Sequence, residues 1–240
     1  MKKIILLFTI IPILGISQVA NEDVKDSKKK GRYKWDIGIN GGINLSNLRG
    51  DIDGLETKNL PGTLYGVTVT YNFNKFFSLK ADFDYESKGF IMKDVEYDLA
   101  LNTDSIGSTI KRGDVKQVLN YFDIPAFMHI GFGKKVKFDI NFGPYFAFKL
   151  PNNDIVSSSE DGDDVVLIDN KFTDGFKKFD VGLTYGFGID YFLNKRIALG
   201  FDFLIEDGLI PILKTNSGSD VFNRSLDFDF GINFHFGRKK

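Results

Sequence analysis

Residues 224–236 read Arg-Ser-Leu-Asp-Phe-Asp-Phe-Gly-Ile-Asn-Phe-His-Phe. Leu226, Phe228, Phe230, Ile232, Phe234 and Phe236 recur at every second position, with Ser225, Asp227, Asp229, Gly231, Asn233 and His235 between them. Successive side chains of a strand point to opposite faces, so this spacing predicts a β-strand with one apolar and one polar face. Only Gly237, Arg238, Lys239 and Lys240 follow. We therefore expect the open edge of this last strand to be met by another strand, as a closed barrel would arrange.

The same alternation recurs upstream. Strands are predicted at 33–44 (Trp35, Ile37, Ile39 and Ile43 on the apolar side), 63–73, 77–86, 118–130, 136–148, 176–191 and 197–206. The 77–86 run is free of errors, with Phe77, Leu79, Ala81, Phe83 and Tyr85 against Ser78, Lys80, Asp82, Asp84 and Glu86. With the last strand the fold is all-β, an eight-stranded antiparallel up-and-down barrel over 33–240. Long polar connections at 45–62, 87–117, 149–175 and 207–223 alternate with short ones at 74–75, 133–135 and 193–196.

Composition agrees with one β domain of 240 residues. The formal net charge of −1 gives no footprint for nucleic acid, and none is expected as a partner. Zero Cys rules out a disulfide framework, a thiolate metal site and a lipidated N-terminal Cys. At the start, Lys2 and Lys3 precede an apolar run at 4–16, and Gly15 and Ser17 are small residues spaced for signal peptidase. Residues 1–17 are thus expected to be a signal peptide and 18–32 a polar periplasmic lead-in. The apolar run falls short of the roughly 20 residues a membrane helix needs.

Alternation alone does not say which face is outside. An eight-stranded barrel has an interior only just wide enough for side chains to fill. Packing every Phe, Tyr, Leu and Ile of eight apolar faces inside would overfill it, and overpacking destabilises. The other faces, rich in Gly, Ser, Thr, Asn and Asp, fit. The apolar rows are therefore predicted to face lipid in a transmembrane barrel with long external loops and short periplasmic turns, and both termini periplasmic. Inside, Lys34 and Lys80 are expected to pair with strand acids in a polar filling rather than a wide pore.

Several short segments resemble a known family. Asp123-Ile124-Pro125, Phe142-Gly143-Pro144-Tyr145-Phe146, Asp180-Val181-Gly182 followed by Tyr185-Gly186-Phe187-Gly188, and the Phe-rich final strand are similar to the PorT-like outer-membrane β-barrel domain proteins of the Bacteroidota, often labelled porin family. The resemblance covers the mature chain. It implies an eight-stranded barrel in a Gram-negative outer membrane without one shared activity, and brings no functional residues with it.

No catalytic, cofactor or metal site is assigned from the sequence. His129 and His235 are the only candidates for a histidine general base, and no Ser or Asp spacing around them forms a triad, so they read as lumen or rim residues. Asp82, Asp84 and Glu86, and Asp227 with Asp229, fall on alternate strand positions and read as lumen charges paired with Lys or Arg rather than as carboxylate dyads. Asp154, Glu160, Asp161, Asp163 and Asp164 offer oxygens that a cation such as Ca²⁺ favours, yet their spacing is not that of a calcium loop, and a solvated acidic loop explains them. Gly38, Gly41, Gly42, Gly186 and Gly188 read as small residues at a crowded wall, since no helix follows to receive a phosphate. Residues 157–159 read as a loop tip with nothing to activate a serine.

The functional expectation is a non-enzymatic barrel, held by outer-membrane lipids, whose loops at 87–117 and 149–175 meet an extracellular ligand or an envelope protein. A narrow porin-like channel for small ions or solutes is the alternative, motivated by the charged lumen. A membrane-embedded lipid-modifying enzyme is the third.

Overall fold

The computed structural model describes residues 33–50, 52, 54–99, 109–151, 155–158, 164–167, 175–214 and 218–238. The expected signal peptide and lead-in lie outside these residues. Eleven strands occur among the described residues: β1 (Tyr33–Arg49), β2 (Thr57–Asn72), β3 (Phe77–Leu99), β4 (Thr109–Gly133), β5 (Val136–Lys149), β6 (Ile155–Ser158), β7 (Asp164–Leu167), β8 (Phe179–Phe192), β9 (Ile197–Gly208), β10 (Leu213–Lys214) and β11 (Asp220–Arg238). Eight of them close a ring in the order β1-β2-β3-β4-β5-β8-β9-β11, with β11 returning antiparallel to β1. The edge of the final strand is met by the first.

The predicted register holds around the ring. Phe230 is 60 % exposed, Ile39 and Ile43 58 %, and Met128 and Phe142 56 %, while Asp227, Asp229, Asp82 and Asn141 are buried. A continuous apolar belt of this kind is not left bare on a water-soluble monomer. Its rims carry aromatic pairs, Trp35 edge-on to Tyr71 near the short turns and Tyr65 stacked on Tyr85 at the opposite end. Aromatic girdles at both interfaces are the mark of outer-membrane barrels.

The expected long connections need correction. β1 and β2 run on to Arg49 and back from Thr57, shortening the 45–62 connection. β3 and β4 stay paired from Phe77↔Ile130 to Leu99↔Thr109, so most of 87–117 is hairpin. Within 149–175, β6 pairs with β7 and adds to β4 at Asp114↔Ser158 through Gln117↔Ile155. Ser157 and Ser158 are therefore strand residues rather than a loop tip. At the other boundary β8 begins at Phe179, and Phe176 turns inward instead. Outside the bilayer a strand no longer needs a greasy face, and its sequence loses the signal that periodicity reads.

The ring passes into this extension at a bulge. The pairs Asn59↔Phe90 and Leu64↔Glu86 are five residues apart on β2 and four on β3. Gly89 lies opposite the extra residue with φ of 151°, a backbone shape that side chains disfavour. Ser46 holds the bend, its Oγ accepting from Gly89 N–H at 2.8 Å and donating to Gly89 O at 3.0 Å.

Candidate functional site

The lumen is a column of polar side chains with different constructions at its two ends. At the end carrying the extension, Lys88 of β3 reaches inward with its ammonium 2.7 Å from Asp123 of β4, 2.5 Å from Glu206 of β9 and 3.0 Å from Glu86. Lys88 is 1 % exposed, and its Nζ stands 4.8 Å from the ring centre of Tyr145. A buried ammonium needs this degree of compensation, because removing an ion from water costs several kcal/mol. Beside it, Tyr145 Oη and Asn223 Nδ2 both donate to Asp180 Oδ2, at 2.8 and 2.9 Å. Asp123, Tyr145 and Asp180 come from three of the sequence motifs noted above, and they converge on one layer.

Over this layer lies an apolar roof. Phe90 and Met92 of β3, Val115 and Leu119 of β4, Leu48 of β1 and Val221 of β11 pack with Phe176 and Ile212 from the connections. Lys177 N–H donates to Ile212 O and Ile212 N–H to Val221 O, each at 2.8 Å, which draws the connecting segment across the mouth. The interior is thus bulkier at this end than its run of small residues suggests, with Tyr121, Tyr145 and Leu119 all fully buried.

The short-turn end is open. A vestibule of about 260 Å³ is lined by residues including Asp36, His129, Lys137, Asp139, Asp190 and His235. His235 Nδ1 is 2.6 Å from Asp36 Oδ1, and its ring stacks on Phe192 at 5.2 Å. His129 Nδ1 is 2.8 Å from Asn141 Oδ1, and the Asn141 amide nitrogen donates to Asp139 and Asp202. That orientation places the His129 proton on Nδ1 and leaves Nε2 to accept from Lys137 Nζ at 3.0 Å. Both ring nitrogens are engaged, so His129 is held as a structural link rather than a free base.

Lys80 pairs as expected, 2.6 Å from Asp202 and 3.7 Å from Asp82. Lys34 does not join the polar filling: its Nζ lies over the Tyr71 ring at 5.1 Å. Lys88 sits just beyond the last clean alternation and was missed in the sequence. Of the acids expected to find a Lys or Arg, Asp82 and Glu86 do so. Asp84, Asp227 and Asp229 have none within ion-pair distance among the described residues. Asp84 and Asp229 instead accept from Asn40 Nδ2, at 2.9 and 3.1 Å.

Two trios of ligand-type side chains come together among the described residues, His129 with Asp139 and Asp190, and Glu86 with Asp123 and Glu206. The second already encloses the Lys88 ammonium. In the first, both imidazole nitrogens are already engaged, Nδ1 by Asn141 and Nε2 by Lys137. Asp154, Glu160, Asp161 and Asp163 lie outside the described residues, and Asp164 opens β7. Of the glycines, Gly42 illustrates the crowding: a Cβ there would run into the Phe228 carbonyl of the neighbouring strand.

A family model described as outer membrane protein β-barrel domain matches residues 17–214. The chain belongs to that family. This outer-membrane barrel has no match among curated proteins. Among solved structures it is similar to Ail, the attachment invasion locus protein of Yersinia pestis, solved with the heparin analogue sucrose octasulfate, at 15 % identity over 84 % of this chain and 99 % of that one, with a TM-score of 0.40. OprG from Pseudomonas aeruginosa gives 15 % identity, 85 % and 98 % coverage and a TM-score of 0.43. Neisserial surface protein A gives 14 %, 83 % and 97 %, and 0.43.

Proposed function

We propose that this barrel is a non-enzymatic outer-membrane anchor that displays the β3–β4–β6–β7 sheet to an extracellular ligand or an envelope protein, with the short turns and both termini in the periplasm. The observation that carries the reading is the continued pairing of β3 with β4 beyond the ring, widened by β6 and β7. Ordered strand outside the bilayer is not needed to hold a barrel in lipid. The PorT-like branch is part of this reading on the strength of the sequence motifs alone, the ones that carry Asp123, Tyr145 and Asp180.

Replacing residues 94–112 with a short turn removes the tip of the display sheet and spares Phe90, Met92 and Val115 of the roof. The shortened barrel is expected to insert and to keep its heat-modifiable mobility on gels, while losing the surface interaction. Failure to insert would make the extension part of the barrel's own fold and end the display reading.

The narrow-channel reading draws on the charged column that runs from the vestibule to Lys88. The roof and the compensated Lys88 cluster oppose it. Planar-bilayer recordings of the purified barrel are expected to be silent, and unitary conductance steps would restore the channel.

A further inference from the structure

The three short turns carry Lys75 at 73–76, Lys134 and Lys135 at 133–135, and Lys195 and Arg196 at 193–196, with no Asp or Glu among them. In the ring order these turns join β2 to β3, β4 to β5 and β8 to β9, which is every second gap. The gap that completes the series is the β11–β1 seam, where Lys34 is the second residue of β1 and Arg238 the last of β11. Cations therefore stand at each quarter of the rim, in a chain whose formal net charge is only −1. Three of them lie over aromatic rings, Lys34 over Tyr71 at 5.1 Å, Lys75 over Phe76 at 4.7 Å and Lys135 over Tyr191 at 5.3 Å. The aromatic belt of a membrane protein sits at headgroup level, so these ammonium groups emerge among phosphates. At the opposite end cations are interleaved with acids, Arg112 2.7 Å from Asp94 and Arg224 3.2 Å from Asp207.

The seam adds a shape to this charge. An open cleft there has Ile197, Phe234 and Phe236 in its lining, together with Tyr33 and Arg196. Phe234 and Phe236 are exposed on the outer wall, and Arg196 immediately precedes β9. A furrow that is apolar along its length and carries an arginine at one end matches a lipid's division into chain and phosphate, and a guanidinium can grip two phosphate oxygens at once. We infer that the short-turn rim is a docking surface for anionic phospholipid headgroups, with one lipid seated at the seam, its chains along Phe234 and Phe236 and its phosphate at Arg196 beside Lys195. A ring of separated cations suits a lipid surface better than one compact ligand. The choice of phospholipid rests on the periplasmic placement of the short turns proposed above, since the periplasmic leaflet of an outer membrane is phospholipid.

Trp35, the sole tryptophan, is the cross-strand neighbour of Phe236 and serves as the reporter. The full chain is folded into vesicles of phosphatidylcholine mixed with phosphatidylglycerol, and Trp35 fluorescence is quenched by the brominated form of each lipid in turn. Phosphatidylglycerol is expected to be favoured over phosphatidylcholine at least about fivefold, and added salt should shrink that preference. Lys195→Gln with Arg196→Gln should bring the two lipids close to parity. Lys177→Gln with Lys178→Gln, two exposed cations of the opposite end, should leave the preference as it is in the parent. Parity in the parent, a preference untouched by salt, or one as strong in Lys195→Gln with Arg196→Gln as in the parent overturns the proposal. Both leaflets of these vesicles have the same composition, so the result does not depend on which way the barrel inserts, and a negative outcome leaves the periplasmic placement of the turns standing.

Discussion

The two ends of this lumen are made from the same kinds of residue and put to opposite use. Near the roof, Lys88 is 1 % exposed and touches three carboxylates, with apolar side chains between it and the outside. Near the short turns, Lys137 is only half-buried, and His129, Asp139 and Asp190 line a vestibule of about 260 Å³. The difference is solvent. Where water is excluded a charge must be met in full by protein. Where water reaches, pairing is optional and weak.

Substitutions at the two ends should separate accordingly. Lys88→Met leaves three buried acids facing one another and should cost about 3–5 kcal/mol in urea unfolding of the folded barrel. Adding Asp123→Asn and Glu206→Gln should recover part of that loss, since the uncompensated charges go with the cation. Leu119→Ala, which opens a void in the roof, is expected to cost about 2–5 kcal/mol and is the substitution that should admit ion current if the roof is the seal. At the open end Asp36→Asn weakens the contact with His235, for about 1 kcal/mol. Lys137→Met should cost less than about 1 kcal/mol, and a loss as large as that of Lys88→Met would erase the distinction between the ends.

The chain has no cysteine of its own, so labelling gives a test free of background. A cysteine replacing Asn233 in the vestibule should react with a charged maleimide supplied from the short-turn side. One replacing Val221, fully buried in the roof and close to cysteine in volume, should stay unmodified until the barrel unfolds. Equal reactivity at the two positions would mean the roof is not closed.

The ring was legible wherever one face of a strand meets lipid. The alternation of β11 and the lower part of β3 needed no tertiary information, because a slip of one residue would turn acids such as Asp227 toward hydrocarbon. Legibility stopped at Ser87. From there Lys88, Gly89, Phe90, Ile91, Met92 and Lys93 break the period, as the strand first contributes an ion to the lumen, then bends, then faces a roof instead of lipid. Lys88 could not be assigned because two of its three partners lie 35 and 118 residues away, on strands whose distance across the barrel no local pattern encodes. The excess of lumen acid was visible as residues. That three of those acids have no basic partner within reach was not, because pairing across a barrel depends on stagger between strands.

The seam between β1 and β11, from Tyr33↔Arg238 to Arg49↔Phe222, joins the two strands that stand furthest apart in the sequence. Bringing such distant segments together adds only a logarithmic entropy cost, yet the seam cannot begin before β11 is available. Every incomplete assembly therefore carries two bare hydrogen-bonding margins, that of β1 and that of whichever strand was added last, both open to foreign chains. Closure buries the two together. For this chain the hazard of folding is concentrated in that final zippering, and shielding those margins until it happens is the help assembly most requires.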